Sequence, residues 1–175
     1  MPYMVRSAPR VVLTAGLAAL AVCTALVAVS AMVFPQGYSP ARLTWPGAPI
    51  LLGWTHFDAG WYAHIATAGY SYTPGQQSPV AFFPLYPLVL RGLGLLSMDT
   101  FLAGVLVTML CGLGALYVFT LWARTRADEE AARNAGLLLA FYPFAFFLYG
   151  AMYSDALFLL LIIGAFLLLE RGQLG

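Results

Sequence analysis

Residues 101–122 read Phe-Leu-Ala-Gly-Val-Leu-Val-Thr-Met-Leu-Cys-Gly-Leu-Gly-Ala-Leu-Tyr-Val-Phe-Thr-Leu-Trp, a run without a charge, bounded by Asp99 and Arg124. A helix needs about 20 consecutive apolar residues to cross a hydrocarbon core of about 30 Å, and this stretch has that length. The blocks 11–41, 134–154 and 156–169 are equally free of Asp, Glu, Lys and Arg, although the last is short for a crossing. With 62% hydrophobic and 9% charged residues and a mean hydropathy of +0.84, the composition excludes an ordinary soluble domain. It implies an all-α polytopic integral membrane protein. A net charge of +1 gives no general attraction to nucleic acid.

The cations set the orientation. All of them are arginine: Arg6 and Arg10 precede the first apolar block, Arg124, Arg126 and Arg133 separate the second from the third, and Arg171 follows the fourth. Arginine-rich short segments stay on the cytoplasmic side, so the pattern predicts four crossings, over 11–34, 101–122, 134–149 and 154–170, with both termini cytoplasmic. The loop 35–100 and the turn from Gly150 to Asp155 then face the other side. A competing reading takes Arg6, Arg10 and the apolar run up to Val29-Ser30-Ala31 as a signal peptide, but the run is long for an h-region. Cys23 and Cys111 fall inside apolar helices and read as small buried hydrophobes.

The long loop contains Pro35, Pro40, Pro46, Pro49, Pro74, Pro79, Pro84 and Pro87, which rule out one continuous helix. A short interfacial helix is predicted over Phe57 to Ala68, with Asp58 at its N-cap and Gly69 stopping it. Ala81 to Leu96 is apolar but broken by two prolines and Arg91, and reads as a re-entrant or interfacial piece. Asn134 to Tyr149 and Ser154 to Glu170 are each about 24 Å long as helices, short of the core. The turn between them, with Tyr153, Ser154 and Asp155, is therefore expected below the outer surface.

Asp58 sits in Trp54-Thr-His-Phe-Asp-Ala-Gly-Trp-Tyr-Ala-His64, an acid among aromatics. A plain helix cap is one reading of it, and Asp155 after Ser154 allows the same. Asp99, just before the second span, is read simply as its N-cap. The functional reading rests on convergence, because the topology brings Asp58, Asp155, Arg91, His56 and His64 to one side. Two acids with cations under an aromatic roof suit a phosphorylated, lipid-linked substrate. A carboxylate can take the proton of an attacking hydroxyl, and Arg91 or a histidine can neutralise a leaving phosphate. The histidine spacing is not that of a HExxH metal motif, so no metal site is expected. The cluster 124–133 reads as a solvated cytoplasmic loop.

Three motifs carry a family resemblance: Phe57-Asp-Ala-Gly-Trp-Tyr62 with His64-Ile-Ala66 and Gly69-Tyr70; Ala81-Phe-Phe-Pro-Leu-Tyr-Pro-Leu88; and Tyr153-Ser-Asp-Ala-Leu-Phe158 with Leu169-Glu-Arg-Gly172. Their order and spacing resemble the bacterial relatives of the PIG-V mannosyltransferases, which are GT-C glycosyltransferases. The resemblance covers about residues 45 to 172. It implies an inverting transfer of a hexose, mannose in the best-known members, from a polyprenyl-phosphate sugar to a lipid-linked or glycan hydroxyl on the extracytoplasmic face of a bacterial plasma membrane. No cofactor is implied beyond that donor.

By the same resemblance, Asp58 stands where such enzymes carry their essential acid in the first outer loop and is the expected catalytic base. His56, Trp61, His64, Arg91, Ser154 and Asp155 are the expected substrate-binding residues, although the family often has Glu at the position of Asp155. The family typically has about twice as many helices, so the chain reads as the N-terminal part of a GT-C module, with membrane lipids around it and a second chain as one source of the remaining helices. Three alternatives stay open: a non-catalytic membrane subunit, a lipid-binding or transporter-like protein, and an inactive truncated remnant.

Overall fold

A computed structural model describes residues 8–34 and 48–173, and these form helices and connecting turns. The helix α1 spans Ala8–Val33. Its Ala, Val and Leu content has no interior breaker, and Pro9 lies in the first turn, where its missing N–H costs no bond. A 3-10 turn over Pro49–Thr55 leads into the short α2, Ala59–Ala68. After a second 3-10 turn at Pro79–Ala81 come α3, Leu85–Gly94, and α4, Thr100–Ala123. The chain continues through α5, Glu129–Phe141, a 3-10 segment Pro143–Leu148, and α6, Asp155–Glu170.

By length and composition, α1 and α4 are able to cross a membrane. The helix α4 is the axis of the fold, packed against α1, α3, α5 and α6. Close approach is achieved through small residues, as in helix pairs that pack without a hydrophobic driving force. At Gly112 a Cβ would stand 1.9 Å from the Leu148 carbonyl oxygen, so the backbone of the 3-10 segment rests directly on α4.

Two ends of the bundle are chemically distinct. At one, the start of α1, the end of α4, the start of α5 and the end of α6 meet in a charged knot. Ala8 donates its backbone N–H to Glu129 Oε1 at 3.0 Å, and Arg124 pairs with the same carboxylate at 2.7 Å. Arg126 pairs with Glu170, and Thr125 Oγ1 donates to Glu170 at 2.7 Å. The cluster expected to be merely solvated thus ties the helix ends together. The opposite end holds the Pro49–Thr55 turn, α2 and the start of α6.

Several local expectations are met. Asp99 caps α4, accepting from Leu102 N–H at 2.9 Å. Gly69 ends α2 at φ +84°, its N–H bonded to Ile65 O. The segment Asn134 to Tyr149 departs from the expected single helix: α5 begins earlier, at Glu129, and stops at Phe141. Pro143 is the cause, because a residue before proline is pushed out of the helical region, and Tyr142 is extended at ψ 134°. Asp58 departs as well. It occupies the position before α2, but its backbone is helical and its side chain makes no capping bond.

Candidate functional site

Trp54 anchors the site. It is fully buried and stacked on Phe146 with ring centroids 4.7 Å apart, and its carbonyl accepts Met152 N–H at 2.8 Å. Gly150 makes this docking possible. Its φ of +143° is foreign to residues with a side chain, and a Cβ there would meet the Trp54 ring at 3.0 Å. The passage from the end of the 3-10 turn at Trp54 to Asp58 is thereby laid beside Ala151 to Tyr153.

Tyr153 completes the junction. Its hydroxyl donates to His56 O at 3.3 Å and accepts the Asp58 N–H at 3.4 Å. Between them Phe57 holds φ +54° and is itself 86% exposed. A left-handed backbone at a bulky residue costs about 1–3 kcal/mol and persists only where neighbours enforce it. Here the enforcing neighbours are the Trp54 anchor and the Tyr153 hydroxyl, and the consequence is an outward-turned Asp58.

A second layer lies beneath. Tyr62 and Ser154 share a hydrogen bond of 2.8 Å, with Tyr62 set edge-on to Tyr86 at 5.0 Å and inclined to Tyr153 at 6.4 Å. Tyr86 is buried and donates to Gly104 O at 2.9 Å. The Thr108 hydroxyl lies 3.0 Å from it and 3.4 Å from Tyr153 O. Through these bonds α2, α3, α4 and the start of α6 hold one another at fixed distances.

The two expected acids meet at this tyrosine pair. Burial pushes the Tyr62 phenol up, the Ser154 bond pulls it partly back, and the carboxylates of Asp155 and Asp58 push it further. Tyr153 is raised by burial first, against the Asp58 N–H bond, and then by the carboxylates of Asp58 and Asp155. Both phenols therefore stay protonated, able to donate, between two exposed carboxylates. The Asp58 carboxylate itself has no hydrogen bond or ion pair among the described residues.

Asp58, Ser154 and Asp155 are thus brought together, and His56 joins them through its backbone carbonyl. Trp61 and His64 are not at this spot. They line a groove of about 880 Å³ with Asp99, on another flank of α2. Arg91 is exposed on α3 and forms no side-chain ion pair or hydrogen bond among the described residues. Sequence reasoning missed Tyr62, Tyr86, Tyr153 and Thr108, although Tyr62, Tyr86 and Tyr153 all fall inside the quoted motifs.

Comparison with known proteins adds a family. A family model described as mannosyltransferase (PIG-V) matches residues 39–174. GPI mannosyltransferase 2 of Drosophila pseudoobscura pseudoobscura is 32% identical over 120 residues, 62% of this chain and 25% of the relative. The Drosophila melanogaster protein of that name is 32% identical over 117 residues, 61% of this chain and 25% of its own length. The aligned region spans about a quarter of each of these curated relatives. No solved structure matches the chain.

Proposed function

Since the chain belongs to the PIG-V mannosyltransferase family, we propose that it carries the acceptor-activating part of a GT-C glycosyltransferase, with Asp58 as general base. The acceptor hydroxyl oxygen attacks the anomeric carbon of a polyprenyl-phosphate mannose, the bond to the phosphate oxygen breaks with inversion, and the hydroxyl proton passes to Asp58. Polyprenyl phosphate leaves. The single observation that carries this reading is the exposed carboxylate of Asp58, which stands at a capping position, makes no cap and has no hydrogen bond or ion pair among the described residues, as a proton acceptor requires. Asp155, on the other flank of the tyrosine pair, orients the sugar or the acceptor.

The site lies on the extracytoplasmic side in this reading. Arg124, Arg126 and Arg133 cluster at the opposite end of the bundle, which the positive-inside rule assigns to the cytoplasm. Four crossings follow, α5 with its 3-10 extension and α6 being the shorter pair.

Radiolabelled polyprenyl-phosphate mannose supplied to membranes expressing the chain tests the reading, beside Asp58→Asn as an isosteric variant without a base. Transfer by the unaltered chain and its loss by about a hundredfold or more in the variant is the expected result. Equal transfer by both would remove Asp58 from the role.

A further inference from the structure

The groove beside Trp61 and His64 is not used by the carboxylate site, and we propose that it is a binding site for uncharged hexose units, presented by a saccharide acceptor. Only the word acceptor rests on the transferase reading; the binding stands on the groove itself. Its volume of about 880 Å³ falls within the roughly 300–1,000 Å³ of small-molecule sites.

The wall has the chemistry of sugar recognition. Trp61 is held as a flat platform, stacked on Phe82 at 6.3 Å and met edge-on by His64 at 6.5 Å. An amphipathic ring of this kind suits the apolar C–H face of a hexose. Around it, Gln76 and Gln77 offer exposed amides with both donors and acceptors. The Thr67 hydroxyl donates to Ala63 O at 2.9 Å, which leaves its oxygen as an acceptor. Asp99 spends Oδ1 on the α4 cap at 2.9 Å, so Oδ2 is left to accept from a sugar hydroxyl.

Charge selects among ligands. Asp99 and His64 are the titratable side chains among the described residues lining the groove, and no arginine lies in this lining. The wall offers a carboxylate, which disfavours phosphate, and no permanent cation to hold one. The neutral hydroxyl-rich part of a substrate therefore enters here and its phosphate does not. Asp58 is not part of the wall: six residues of helix rotate His64 about 120° away from it.

Titration of the full chain in detergent micelles with methyl hexosides of mannose, glucose, galactose and glucosamine, followed by tryptophan fluorescence and calorimetry, tests this. A saturable response to at least one hexoside is expected, unaffected by equimolar inorganic phosphate. Trp61→Ala and Gln77→Ala each weaken it by about tenfold. Asp99→Asn keeps the helix cap, since Asn caps as well as Asp, and serves as a folded variant with reduced affinity. Asp58→Asn leaves hexoside affinity unchanged even when it abolishes transfer, which separates this proposal from the catalytic one. No saturable response to any hexoside, or a response indifferent to Trp61→Ala, Gln77→Ala and Asp99→Asn, overturns the proposal. So does competition by phosphate.

Discussion

At the scale of single residues, the site depends on phenols as much as on acids. Tyr153 alone contacts both His56 O and Asp58 N–H, so Tyr153→Phe releases the segment that turns Asp58 outward. The expected loss is about 1 kcal/mol of stability and about tenfold to a hundredfold in kcat, read by thermal unfolding and by transfer assays. An unchanged kcat would detach Asp58 from this support. Tyr86 gives a pH prediction. Burial pushes its phenol above the ordinary value of 10.0, so the folded protein keeps a proton that the unfolded chain releases. Stability is then complete below about pH 10 and falls as pH rises through the unfolded value towards the folded one. No lysine titrates in that window, and Tyr86→Phe should flatten the alkaline decline in Tm measured from about pH 8 to about pH 11. Asp58, Ser154 and Asp155 could be read in the sequence because polar residues in apolar blocks demand a reason. The tyrosines could not, because their partners lie 92 and 95 positions away and an aromatic in such a chain looks like packing.

At the scale of elements, local chemistry was legible and helix interruption only partly so. Asp99 before an apolar run and Gly69 after one announce α4 and the end of α2 by capping rules that need no tertiary context. The boundary at Pro143 follows an equally local rule, yet the apolar block 134–154 runs straight through it and masks the break. Trp61 and His64 line the groove on α2 instead of the tyrosine pair; for His64 the reason is geometric, since six residues of helix turn it about 120° from Asp58. The 3-10 segment that follows Pro143 packs on α4 at Gly112, where an added methyl would strike the Leu148 carbonyl at 1.9 Å. Gly112→Ala should therefore cost about 1–3 kcal/mol, the range of overpacked cores, and loosen the turn that carries Tyr153. Gly114→Ala is the matched control: its methyl would touch only Leu160 side-chain atoms at 3.4 Å. Unfolding of both variants in the same detergent checks the contrast, and equal stabilities would show that α4 and the 3-10 segment can separate freely.

At the scale of the molecule, charge and chemistry are sorted to opposite ends. The knot of Arg124, Arg126, Glu129 and Glu170 joins the ends of α4, α5 and α6, with the start of α1 bonded in through Ala8. Because α1 and α5 start at this end while α4 and α6 finish there, the chain runs alternately up and down. The loop between α1 and α4 must then share a side with the turn before α6, which is how Trp54 reaches Met152. Arginine position predicts an alternation of this kind from sequence, since the bias acts on each short loop independently; which residues meet across the far end depends on packing that no local pattern encodes. The orientation has a direct test. In a background with Cys23→Ser and Cys111→Ser, a membrane-impermeant maleimide should label Ser71→Cys in intact cells, because that residue is exposed on the site side. Thr125→Cys, in the charged knot, should react only after permeabilisation. The reverse pattern would put the arginines outside and the carboxylates in the cytoplasm, and labelling of both in intact cells would mean that the chain does not alternate across the bilayer.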